Sequence, residues 1–151
     1  SRRGGSQQSE YKRINAASVL RAKLDSLYAA QPNTKVIIMG DFNDTPENKS
    51  IEETLMKDSN FGLHNLMESK PKSYGSHKYK GHWSYIDQII ISESLKNNTK
   101  QESAIVFWQE WMMEEDSKHP GFYPKRSWRG PFYHYGFSDH LPVFIDIIFD
   151  K

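Results

Sequence analysis

The sequence predicts an α/β (α+β) domain, and three observations carry that expectation. Tyr11–Ala30 has an apolar stripe at helical period. Val36–Met39 is a short unbroken apolar run soon after it. Tyr85–Ser92 and Leu141–Phe149 are further apolar segments of strand length. At 151 residues the chain is one ordinary domain's worth.

Each element has its own signal. Ser1–Glu10 is polar, with Gly4 and Gly5, and reads as a loop. In the helix, Ile14, Ala17, Leu20, Leu24 and Leu27 line one face, and Pro32 stops it. Val36–Met39 suits a strand buried on both faces. Asn48–Asp58 is expected to be a short helix, with Ile51 and Leu55 four apart. Ser59–Met67 is ambiguous between strand and loop. Ser69–Trp83 reads as a long loop holding at most a short hairpin. Tyr85–Ser92 is a strand with one carboxylate, Asp87, inside it. Ser103–Trp108 is a further strand candidate, and Glu110–Ser117 a helical turn. Lys118–Gly136, dense in Pro, Gly, Arg and aromatics, reads as loop. Leu141–Phe149 closes the chain as a strand.

Composition narrows the function. Lys+Arg number 20 and Asp+Glu 19, for a formal net charge of +1, which argues against a histone-like nucleic-acid binder. The absence of cysteine excludes disulfide scaffolds, thiolate metal sites and cysteine nucleophiles. It leaves the compartment open, secreted and periplasmic locations included. No apolar run reaches the roughly 18 residues of a membrane helix. Hydrophobic content is 36%, below the usual range of about 45–50%. Asn43-Asp44-Thr45, Asn48-Lys49-Ser50 and Asn97-Asn98-Thr99 match the glycosylation sequon, which we read as coincidence.

Three polar segments sit at strand edges. In Gly40-Asp41-Phe42-Asn43 a carboxylate and a carboxamide follow a strand directly, where α/β sheets bind ligands. The same residues also suit a helix cap or an Asx turn. Asp87 lies within an Ile-rich strand, where a carboxylate needs a donor or an outward position on an edge strand. Ser138-Asp139-His140 precedes the last strand. There a histidine serves as acid, base or phosphate donor, or as a hydrogen-bonded loop residue. Together they offer the groups that phosphate-ester hydrolysis uses: a carboxylate to activate water, an amide to hold it and an imidazole oriented by a second carboxylate. Asp139 offers oxygen to a divalent cation.

These residues carry a resemblance. Gly40-Asp41-Phe42-Asn43, Ile86-Asp87-Gln88-Ile89 and Ser138-Asp139-His140-Leu141-Pro142-Val143 resemble, in order, the three C-terminal signature motifs of the endonuclease/exonuclease/phosphatase superfamily. The resemblance implies that Asp41 orients or deprotonates the attacking water. Asn43 supports it, Asp87 holds the imidazole of His140, and His140 donates to the scissile phosphate. Asp139 helps to hold Mg²⁺ (or Mn²⁺). It implies metal-dependent, in-line attack of water on a phosphate ester, by a phosphodiesterase, nuclease or phosphatase. The implied fold is the C-terminal half of a four-layer α/β/β/α sandwich, one sheet with flanking helices. Residues 1–151 are then a single partial domain whose N-terminal half, with its metal-binding Glu, is absent. The chain begins without a Met, and little or no activity is expected of it alone. Another chain or the missing half would complete the site. The opening Arg2 and Arg3 resemble the segment after the family's central histidine.

Two stretches point to an anionic substrate. Ser69–Trp83 and Lys118–Gly136 are rich in Lys, Arg, His and aromatic residues, contain no acid and lead into the candidate catalytic strands. Arg2, Arg3 and Trp83 are the substrate-binding candidates. Nucleic acid, a nucleotide and a phospholipid headgroup all suit such surroundings. The competing expectations are a catalytically silent phosphate, nucleic-acid or headgroup binding module on the same fold, and a structural domain with coincidental motifs.

Overall fold

The computed structural model describes residues 2, 5–58, 61–68, 70, 71 and 73–149, with Gln101 described for its backbone only. Among these the fold is α+β, and every strand pair is antiparallel. Helix α1 (Glu10–Ala30) leads into strand β1 (Ile37–Asp41) and a π-helical segment, Ser50–Met56. Short strands follow: β2 (Leu63–Asn65), β3 (His77–Tyr79), β4 (His82–Ser84), β5 (Asp87–Ser92), β6 (Ile105–Val106), β7 (Met113–Glu115), β8 (Phe122–Pro124), β9 (Trp128–Arg129), β10 (Phe132–Tyr133) and β11 (Val143–Phe144). One three-stranded sheet has the order β1-β5-β2. The other described strands pair two by two, as β3–β4, β6–β11, β7–β8 and β9–β10, in place of a single sheet. No helix among the described residues is long and apolar enough to cross a membrane.

Strand β5 is the centre of the molecule. Its side chains alternate between two apolar clusters, so both faces are covered. Ile90 joins Ala17, Leu24, Tyr28, Ile51, Leu55 and Leu63 on the helix side. Ile89 and Ile91 join Leu66, Met67, Leu95 and Ala104 on the other, with Val106 and Val143 packed against them. Burying a large aliphatic side chain contributes about 1.5–3 kcal/mol, so this strand anchors everything attached to it.

Strand β1 departs from the expectation of burial on both faces. It is an edge strand, paired only with β5. Ile37, Met39 and Asp41 register with Ile91, Ile89 and Asp87, and so share one face with them. Ile89 and Ile91 are buried, yet Ile37 and Met39 are 41% and 55% exposed. An unbroken apolar run cannot by itself distinguish a central strand from an edge strand with one open face.

Helix α1 forms as its stripe predicts, with Ala17 and Leu24 buried. Arg13 lies on the same face, and its guanidinium Nε sits 2.6 Å from Asp44 Oδ2, both side chains almost fully buried. Asp44 also accepts from Ser50 Oγ at 2.6 Å. Its carbonyl accepts from the Gln88 side chain at 2.9 Å, and Gln88 Oε1 accepts from Asn65 Nδ2 at 3.0 Å. The turn after β1 is thus fixed to α1, the π-helical segment, β5 and β2 through a buried ion pair and hydrogen bonds.

Other differences are of length. Lys118–Gly136 contains three strands, β8, β9 and β10, where a loop was expected. Leu141–Phe149 keeps only Val143–Phe144 as paired strand, plus a bridge between Thr99 and Ile147.

Candidate active site

The site forms where β1 ends and β5 begins. Asp41 and Asp87 are direct cross-strand partners, and pairing runs one step further as the Phe42 amide donates to Ile86 O at 2.9 Å. Gly40 adopts φ +142°, a backbone that side chains rarely tolerate, and Asn43 sits in the left-handed region at φ +54°. Asn43 closes an Asx turn. Its amide donates to Asp41 Oδ1 at 2.7 Å and its Nδ2 to Asp41 Oδ2 at 2.8 Å. The turn aims the Asp41 carboxylate and leaves it exposed.

His140 arrives from the far end of the chain. The Leu141 amide donates to Ser76 O at 2.7 Å, and His77 and His140 form an isolated antiparallel bridge. Leu141 is buried and serves as the anchor. The His140 amide donates to Ser138 Oγ at 3.0 Å. His140 Nδ1 then meets Asp87 Oδ2 at 2.7 Å, and Ser76 Oγ donates to the same oxygen at 2.6 Å. The contact to Asp87 holds the His140 pKa above its ordinary value against partial desolvation, and the charges of Asp87, Asp41 and Asp139 act in the same direction. With Nδ1 engaged, Nε2 is the ring atom left for a ligand.

A second imidazole lies beside it. The His77 and His140 rings are 4.7 Å apart. Burial pushes the His77 pKa down, and the neighbouring His140 and Arg126 charges add to this, with Asp139 and Asp87 opposing. Ligand atoms of His77, Asp139 and His140 converge within 4.8 Å of one another, as do those of Asp41, Asp87 and His140.

The sequence-derived residues are placed as follows. Asp41, Asn43, Asp87, Asp139 and His140 come together from three distant segments. Arg2 reaches the same place: its Nε donates to Asn43 O at 2.6 Å. Arg3 lies outside the described residues. Trp83 stands apart from the cluster. It packs on Tyr74 with centroids 5.1 Å apart and lines a cleft with Thr45, Pro46 and Tyr85. Ser76 is not marked by the sequence, and His77 only as one of the basic residues of Ser69–Trp83. Only the pairing of β3 with β4 and with the His140 segment brings them in.

The pattern of the Endonuclease/Exonuclease/phosphatase family matches residues 1–148. The chain belongs to that family. Its chemistry is therefore of the phosphoester-hydrolase or nuclease type. No curated protein and no solved structure matches the chain.

Proposed function

We propose that this chain carries the water-activating and phosphate-polarising residues of a metal-dependent phosphoester hydrolase: a phosphodiesterase, nuclease or phosphatase. The observation that carries the reading is the Asp87–His140 contact at 2.7 Å, one strand over from the Asp41–Asn43 turn. Asp41, held by both Asn43 donors, accepts a proton from the attacking water. His140, fixed by Asp87 and favoured in its charged form, donates from Nε2 to the phosphoryl oxygens. Charge that develops in line is met by donors already in place, where such groups are most effective.

The residues present fit a divalent cation only in part. Asp139 supplies an exposed carboxylate, and the groups nearest to it are imidazoles. Mg²⁺ takes one or two carboxylates and fills the rest with water and substrate oxygen, and Mn²⁺ tolerates nitrogen as well. Asp139 would hold the ion, which would neutralise phosphate charge. We propose that a further carboxylate, from an N-terminal half of a two-sheet sandwich or from another chain, completes this site. The separate 151-residue chain then turns over little.

The test is a panel of phosphodiesters and phosphomonoesters with Mg²⁺ or Mn²⁺, run on this chain and on any longer product of its gene. Cation-dependent turnover abolished by His140→Ala supports the reading. Phosphate-ligand binding without turnover in the longer protein would instead make it a silent binding module.

A further inference from the structure

The two basic stretches of the sequence meet in space. The β3–β4 turn, the 116–119 turn, Tyr123 and the segment from Arg126 to Gly130 enclose a cleft of about 360 Å³. We propose that this cleft is a subsite for a second phosphate group, so that the substrate carries at least two. The inference rests on the phosphoester-hydrolase reading of the neighbouring His140 site.

The cleft has a rigid floor. Lys78, 4% exposed, pairs with Asp116 at 3.2 Å and donates to Pro120 O at 2.9 Å. The Lys118 and His119 amides also donate to Asp116. That carboxylate is therefore spent on the framework and does not oppose an incoming anion. Arg129 is held by Glu114 at 2.9 Å. Among the described residues, Lys80, Lys118 and Arg126 have no carboxylate partner. Arg126 lines the cleft with its Nη2 donating to Lys78 O at 3.4 Å, while its Nε–H is buried without a partner. The Arg126 and Arg129 guanidinium carbons lie 5.8 and 5.0 Å from the Tyr123 ring, which holds both at one wall.

Local backbone conformation points the same way. Lys80 and Gly81 form the two-residue turn of the β3–β4 hairpin, with φ +49° and +82°. Such turns favour Asn-Gly, because Asn tolerates the left-handed region better than Lys. Lys80 lines the cleft at a local conformational cost, its ammonium 5.5 Å from the Tyr79 ring centroid. Arg126 links the two sites, since its charge reaches His77, whose ring lies against His140.

The experiment is a nuclear magnetic resonance titration of the 151-residue chain, following the Arg126 and Arg129 Nε–H signals. One arm uses inorganic pyrophosphate and the other a hexathymidylate strand. Saturable shifts with either probe are expected, weakened about tenfold by Lys118→Glu and also by Lys80→Asn, which suits the turn. Binding of the strand alone assigns the subsite to a polynucleotide backbone, and binding of pyrophosphate alone to a small polyphosphorylated molecule. No shift with either probe, or shifts indifferent to both cleft variants, overturns the proposal. Turnover without sensitivity to Lys118→Glu would refute the subsite alone, whereas intact binding with no turnover in any form would refute the hydrolase reading.

Discussion

Asp87 Oδ2 receives His140 Nδ1 at 2.7 Å and Ser76 Oγ at 2.6 Å on the same oxygen. The carboxylate is fixed on one side by the serine hydroxyl, and on the other it fixes the imidazole. Asp87→Asn removes the charge that favours the imidazolium. Turnover in the active form of the protein is expected to fall about 100-fold or more, as for loss of a group that orients a general acid. Ser76→Ala should cost about tenfold by the same route. In Asp87→Asn the His140 titration midpoint should move down toward 6.5, which nuclear magnetic resonance of the ring protons would show.

The two neighbouring imidazoles should titrate on opposite sides of 6.5, His140 above and His77 below. A raised folded pKa gives His140 a stabilising contribution that is complete below 6.5 and lost as pH rises through the raised value. A lowered folded pKa makes the His77 contribution complete above 6.5 and lost as pH falls through the lowered value. Together they give a stability maximum near 6.5. Urea unfolding across pH should show Asp87→Asn flattening the alkaline limb and His77→Gln the acid limb. Unchanged limbs would contradict the assigned directions.

Arg13 and Asp44 form a buried pair at 2.6 Å that ties α1 to the Asp41–Asn43 turn. Asp44→Ala strands a guanidinium in the interior and is expected to cost about 3–5 kcal/mol, whereas replacing both partners with Leu should cost much less than the sum of the single changes. Denaturant midpoints measure this directly.

Gly136 and Gly121 separate two reasons for glycine. A Cβ at Gly136 would stand 2.2 Å from the Lys125 and Arg126 carbonyl oxygens, so Gly136→Ala must displace backbone, at an expected cost of about 2–3 kcal/mol. At Gly121 nothing lies within 4 Å and only φ +82° resists a side chain, so Gly121→Ala should cost about 1 kcal/mol. Thermal unfolding of the pair tests the contrast. Gly136→Ala should also disturb Arg126.

Asp139, with His77 and His140, defines where a divalent cation should be felt. Mn²⁺ is expected to broaden the ring signals of both histidines, and Asp139→Ala should raise the Mn²⁺ concentration needed by about tenfold. Equal broadening in the variant would remove Asp139 from the site.

The helix and the strand carrying Asp87 were legible because their apolar patterns are long and regular. The GDFN turn was legible because a carboxylate and a carboxamide two residues apart follow an apolar run directly. Other features depend on pairing at a distance. Nothing local marks Arg13 as buried, since its partner Asp44 lies beyond the helix and a turn. His77 resembles any loop histidine until β3 pairs with β4 and with His140. The short strands of Lys118–Gly136 are only two or three residues long, too short to show a period. The exposure of Met39 is invisible because an apolar run does not reveal whether both of its faces are covered.

The anchoring of His140 has a consequence for heat inactivation. The imidazole hangs from a segment held by the buried Leu141 and by short contacts to loops: the two-residue pairing of β11 with β6, the Thr99–Ile147 bridge and single backbone bonds at Pro142 and Ile148, with Val143, Ile145 and Ile147 only partly buried. Asp41 and Asp87 sit on strands riveted to the interior by three consecutive isoleucines, Ile89, Ile90 and Ile91. On warming, the C-terminal segment should peel first and carry the acid away from its carboxylate while the β1–β5 pair remains intact. Loss of activity and loss of fold would then be separate thermal events, and the first would be reversible on cooling.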